Sequence, residues 1–109
     1  MVARWPSGAG IGLRRPHFDA ILATERELDF LEIIPENFVG KGGRASWVLD
    51  RCAERWPMLA HGVSMSIGGP EPLDHAWLRG LRALLDRIGA PFYTDHLCWA
   101  TLGGRNTYD

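Results

Sequence analysis

Three short apolar runs in this chain each finish on groups able to bind a metal or move a proton. Phe30-Leu31-Glu32-Ile33-Ile34 leads into Pro35-Glu36-Asn37, Met58-Leu59-Ala60 ends on His61, and Phe92-Tyr93-Thr94 ends on Asp95-His96. Apolar runs of this length, bounded by Gly and Pro, read as buried strands. Helical patterns lie between them, and crossovers of that size join parallel strands. The strands of a parallel sheet all finish on one side, so the polar ends converge there. No other feature restricts the fold as much.

The intervening segments support that alternation. Residues 8–13, Gly-Ala-Gly-Ile-Gly-Leu, read as a glycine-rich strand. A dinucleotide-binding fingerprint needs its glycines after a strand and opening a helix, and here no strand precedes them. The other reading is that Gly10 and Gly12 leave room for a close crossing of backbone or side chain. Phe18, Ile21 and Leu22 recur at helical spacing behind Pro16, a residue suited to a helix start. Gly40, Gly42 and Gly43 mark residues 38–44 as a loop, and Ser46 is a candidate N-cap for a helix running to Trp56-Pro57. Asp74 is placed to cap a stronger helix whose apolar face is Trp77, Leu78, Leu81, Leu84, Leu85 and Ile88, with Gly89 placed to end it. Beyond Trp99 the pattern offers no recognisable closing element.

A chain of 109 residues holds one small domain. Its 12 basic and 13 acidic side chains leave a net charge of -1, which gives no electrostatic reason to expect a nucleic acid or an anionic membrane as partner. There is no apolar stretch near the ~20 residues of a membrane helix, and no signal-peptide core follows Met1. The expected location is the cytoplasm. In that setting the two cysteines, Cys52 and Cys98, read as thiols rather than a disulfide.

Repeated βα units with short apolar strands fit two architectures, an open doubly wound sheet or the first half of a (β/α)₈ barrel. A barrel takes ~250 residues, so the second reading makes this chain the N-terminal part of one, about four βα units and incomplete, with an unpaired edge at its last strand. Residues 8–109 form the barrel part in that reading, and residues 1–7 an N-terminal tail.

At the convergent ends, His61 and His96 are the candidate metal ligands, because neutral imidazole is a common ligand for iron, copper and zinc. Asp95 adjoins His96, yet neighbours on a strand point to opposite faces, so the two do not both face inward. Either His96 is a ligand and Asp95 orients a supporting partner, or Asp95 is a surface acid and His96 a packed ring. Glu36 and Asn37 follow a strand at the end where barrels carry their active groups. His17 is placed to reach the same mouth. Glu32 is either inward and paired or outward and solvated, His75 falls in a helical first turn facing solvent, and Cys98 shares the face of His96 if that strand persists. Trp47 and Trp77 fall on helix faces and read as packing residues. From the residues alone, an iron enzyme, a barrel zinc hydrolase or sugar isomerase, and a non-catalytic fragment all remain open.

Four motifs in this order narrow the choice: Gly10-Ile11-Gly12-Leu13-Arg14-Arg15-Pro16-His17, Leu31-Glu32-Ile33-Ile34-Pro35-Glu36-Asn37-Phe38, His61-Gly62-Val63-Ser64-Met65-Ser66-Ile67-Gly68 and Asp95-His96-Leu97-Cys98-Trp99. Together they resemble the multinuclear non-haem iron-dependent oxidases, a bacterial family. The resemblance implies a TIM barrel with two or three irons at the C-terminal mouth of its strands. It implies the use of O₂ to modify cysteine or other residues of a ribosomally made precursor peptide, with a partner protein presenting the leader segment. His61 and His96 match the family's first two histidine ligands, Glu36 and Asn37 its motif after the second strand, and Asp95 and His17 positions lining or supporting the site. The family's further ligands come from later strands than this chain contains, so the resemblance implies an incomplete site and no activity for these residues alone.

Overall fold

The computed structural model describes residues 3–106. Its framework is a four-stranded sheet of β1 (Gly10–Gly12), β2 (Phe30–Ile33), β3 (Met58–Gly62) and β4 (Tyr93–Asp95), every neighbouring pair parallel. The spatial order is β1-β2-β3-β4, the order of the sequence. That decides between the two architectures. A doubly wound sheet reverses direction at a switch point, whereas strands added one after another on the same side are the winding of a barrel. The fold is α/β, the N-terminal part of a TIM barrel.

Helices α1 (Phe18–Ala23), α2 (Gly43–Arg55) and α3 (His75–Ile88) connect the strands and lie on one face of the sheet. From the strands, Leu31, Ile33, Met58 and Ala60 point into this layer. They meet Phe18 and Ile21 of α1, Val48, Leu49, Cys52 and Ala53 of α2, and Leu84 and Ile88 of α3. Alternation sends the other residues, Phe30, Glu32, Leu59 and His61, to the opposite face, where each is half-buried. Gly10 and Gly12, paired with Phe30 and Glu32, lie on that face too. The close crossing expected of these glycines is present: a methyl at Gly10 would meet the Phe30 ring at 2.3 Å. Glu32 therefore faces inward, without an ion pair among the described residues.

The helix ends follow local chemistry, with one exception. Asp74 Oδ1 accepts from the Trp77 amide at 3.1 Å, and Gly89 closes α3 in the left-handed region with φ 67°. Ser46 does not cap α2, which begins three residues earlier at Gly43. Instead the Ser46 hydroxyl accepts from Arg87 Nη2 at 2.6 Å and ties α2 to α3. Trp47 does not pack in the core: it is half exposed, with the Arg51 guanidinium 5.8 Å from its ring centre.

After β4 the chain forms a hairpin that the apolar pattern did not announce, β5 (Thr101–Leu102) against β6 (Arg105–Asn106). Its turn residues Gly103 and Gly104 both have positive φ, 57° and 75°, as the twist-matched two-residue turn requires. Near the N-terminus, Arg4 donates to the Ala53 carbonyl at 2.9 Å and Trp5 packs on Phe92 with ring centres 5.5 Å apart. No helix among the described residues is long and apolar enough to cross a membrane.

Candidate functional site

His61 and Thr94 occupy paired positions on β3 and β4. They therefore share a face, the open one, and His61 Nδ1 lies 2.7 Å from Thr94 Oγ1. His96 follows two residues after Thr94, beyond the end of β4, and returns to that face. Its ring centre is 4.8 Å from that of His61, with the planes tilted by 49°. His96 Nδ1 lies 3.1 Å from the Gly62 carbonyl. A carbonyl only accepts, so Nδ1 of His96 carries the proton and the lone pair of the neutral ring sits on Nε2. His61 Nδ1 is likewise engaged, by the Thr94 hydroxyl, so each ring has a partner on Nδ1 and leaves Nε2 free of it. That is how ligating histidines are commonly held.

Glu36 and Asp95 make their contacts beside the pair rather than with it. Residues 35–37 form a 3-10 turn directly after β2, fixed by bonds from Asn37 N to Ile34 O and from Phe38 N to Pro35 O. The turn sends the Glu36 carboxylate across to the loop after β3. There Oε2 accepts from the amides of Val63 and Ser64, each at 3.2 Å, and from the Ser64 hydroxyl at 2.7 Å. Glu36 thus fixes the backbone immediately following His61-Gly62.

Asp95 takes the other face from His96, as strand alternation requires, and its Oδ2 accepts from the Tyr93 hydroxyl. Gly62 makes that contact possible: a methyl there would stand 1.8 Å from the Tyr93 oxygen and 2.5 Å from Asp95 Oδ2. Burial pushes the Tyr93 phenol well above its ordinary range, reinforced by its bond to Asp95 and by the charges of Asp95 and Glu36. Tyr93 therefore remains a donor throughout the physiological range.

Donor chemistry shows how far these groups suit a metal. Two imidazole nitrogens are ligands that iron and zinc both accept. Glu36 Oε1 and Asp95 Oδ1 are buried with no partner among the described residues, and such an oxygen calls for a proton, an N–H or a cation. Yet no three His, Cys, Asp or Glu side chains among the described residues are gathered closely enough to hold a metal ion. The residues present fit part of a metal site and not a whole one: two imidazole nitrogens, with two unpartnered carboxylate oxygens nearby.

The remaining candidates divide. Asn37 is exposed at the end of its turn, on the same side of the sheet. His17 is exposed where a 3-10 turn meets α1, and no hydrogen bond or ring contact among the described residues joins it to the pair. His75 is exposed in the first turn of α3, as expected. Cys98 does not continue the strand of His96, because β4 ends at Asp95; its carbonyl accepts from Gly68 at 2.8 Å. Thr94 and Ser64 were not foreseen. Strand pairing could have pointed to Thr94, but nothing local marks Ser64.

Residues 8–109 match the family described as RiPP precursor modification enzyme MbnB/TglH/ChrH. The chain belongs to this family. It is 47% identical over 103 residues to a UPF0276 protein of Caulobacter vibrioides, covering 94% of this chain and 37% of that one. A UPF0276 protein of Acinetobacter baylyi is 44% identical over 97 residues, with 89% and 34% covered. One of Pseudomonas aeruginosa is 41% identical over 98 residues, with the same shares. The chain spans a little over a third of the length of these curated relatives.

Proposed function

We propose that this chain supplies two iron ligands, His61 and His96, to an oxidase that modifies a ribosomally made precursor peptide using O₂. The observation that carries the reading is the pair itself. Two imidazoles, one on β3 and one just past β4, have ring centres 4.8 Å apart at the C-terminal end of a parallel sheet, each with Nδ1 engaged. Iron bound there would supply the electrons that reduce O₂. The chain's own groups orient and insulate: Thr94 and the Gly62 carbonyl fix the rings, Glu36 holds the loop after β3, and Tyr93 keeps its proton and donates a hydrogen bond to Asp95. Asn37 and His17 are proposed to line the way in for an extended peptide. A partner presenting the leader segment and a cytoplasmic setting belong to the same reading, as does the assignment of residues 8–109 to one barrel domain.

The test uses a protein carrying this chain within a barrel of family length. Anaerobic purification should yield more than one iron per chain, and His61→Ala or His96→Ala should each lose iron and O₂-dependent turnover. His75→Ala should change neither. Zinc alone, or full iron retained in both histidine variants, would overturn the assignment.

A further inference from the structure

A second polar feature lies at the same end of the sheet, and of its residues the reading above uses only Asn37. Between the segments that leave β1 and β2 there is a cavity of about 160 Å³. Its floor is apolar: Leu13, Phe18 and Phe38 are each no more than 5% exposed. Arg14, Arg15, Lys41 and the Asn37 amide supply its polar lining, and no acidic residue lines it. In a chain with 13 acidic side chains, three cations around one hollow make no ion pair and no side-chain hydrogen bond among the described residues. The other short-range arginine pairs on the surface, such as Arg44 with Asp19 and Arg87 with Asp50, show what nearby carboxylates do when present.

The backbone builds this arrangement. The bond from His17 N to Arg14 O at 2.9 Å closes the turn carrying Arg14 and Arg15. The bond from Lys41 N to Phe38 O at 3.1 Å, with Gly40 at φ 69°, brings Lys41 back over the opposite wall. Arg14 lies down across Gly12, where a methyl would stand 3.1 Å from its Nε. A chain of contacts links its wall to the loop that follows His61-Gly62. Asn37 on its wall adjoins Glu36, whose carboxylate fixes Val63 and Ser64 just after His61-Gly62.

We propose that this cavity binds a carboxylate of the peptide substrate, the side chain of an acidic residue or the C-terminal group, and so anchors the peptide beside the histidine pair. The proposal rests on the peptide-modifying reading above and names the chemistry of what it recognises. Two guanidinium forks are suited to the planar, two-oxygen geometry of a carboxylate. An ammonium adds charge without geometry, and the apolar floor accommodates methylenes next to it.

Shift mapping by NMR on the whole chain tests this with four probes: a blocked peptide with one internal Glu, its Gln counterpart, an uncharged peptide with a free C-terminus, and inorganic phosphate. The Glu peptide, the free-terminus peptide or both should move the Asn37 amide and the Arg14 and Arg15 Nε signals at millimolar concentration, and the Gln peptide should not. Which of the two binds identifies the source of the carboxylate. Raising ionic strength should weaken binding. Arg14→Gln, Arg15→Gln and Lys41→Met should each weaken it, the arginine changes by about tenfold. Binding of the Gln peptide as tight as that of the better carboxylate peptide, no change in a triple variant, or a response to phosphate alone would overturn the proposal. His61→Ala should leave carboxylate binding intact. Carboxylate binding by this chain, with no iron in the family-length protein of the preceding test, would sink the oxidase reading and spare this site. Iron there without carboxylate binding here would do the reverse.

Discussion

Along β3, Met58, Ala60 and Gly62 are buried under the helices, while Leu59 and His61, one residue out of step, stay half-exposed on the other face. The same alternation runs through β2, where Leu31 and Ile33 are buried and Phe30 and Glu32 are not. One sheet thus has a covered face that carries most of the packing and an open face that carries the histidine pair. The difference teaches which substitutions should unfold the protein and which should only disarm it.

The sharpest test of that division is a pair of neighbours. Leu31 has no exposed surface, and Leu31→Ala should cost about 2–5 kcal/mol of stability through lost burial and the cavity left behind. Glu32→Ala, one residue along and on the other face, should stay within about 0.5 kcal/mol. Denaturant unfolding of the two variants decides it. Similar losses for both would mean that the open face is as tightly packed as the covered one.

The covered face was largely legible in the sequence because burial leaves a periodic trace. Leu81, Leu84 and Ile88 recur with the helix period, and Asp74 and Gly89 have side-chain and backbone chemistry suited to the two ends of α3. The start of α2 was not legible. Ser46 resembles a cap, but its hydroxyl is engaged by Arg87, 41 residues away, and a tertiary partner leaves no local signal. The hairpin after Trp99 was missed for a different reason. Its strand residues are exposed and show no apolar alternation, so only Gly103-Gly104 announced it.

At the site, His61 and His96 were visible as strand ends. The contacts that orient them were not, because Thr94 and the Gly62 carbonyl reach them across strands. The basic cavity was equally hidden, since its cations come from two loops more than 20 residues apart.

The covered face also predicts a pH effect. Cys52 has no exposed surface, and burial pushes its thiol up to about 11, only partly opposed by the Arg55 charge. Unfolded, a thiol ionises near pH 8.5, so above that the unfolded chain gives up the proton first. Stability contributed by the buried neutral thiol is complete below about pH 8.5 and is lost as pH rises towards about 11, by roughly 3 kcal/mol in all. Unfolding measured across this range should show the decline. Cys52→Ala should be less stable at neutral pH yet lose less of its stability between those limits. Parallel slopes for the two proteins would mean that water reaches Cys52 and that the covered face is looser than its burial indicates.

The smallest effect on stability is expected where the effect on function should be largest. His61 is half-buried and His96 exposed, and neither belongs to the apolar core. Their polar contacts, Thr94 Oγ1 and the Gly62 carbonyl, lie at the open end of the sheet, where water can replace an imidazole N–H. His61→Ala and His96→Ala should therefore change unfolding free energy by no more than about 0.5 kcal/mol each, and the double variant by about their sum. A strong interaction between the two rings would appear as non-additivity. If either variant lost about 2 kcal/mol or more, the pair would be holding β3 and β4 together. The open face would then be structural as well, and the division between the two faces would fail at the residues on which it most depends.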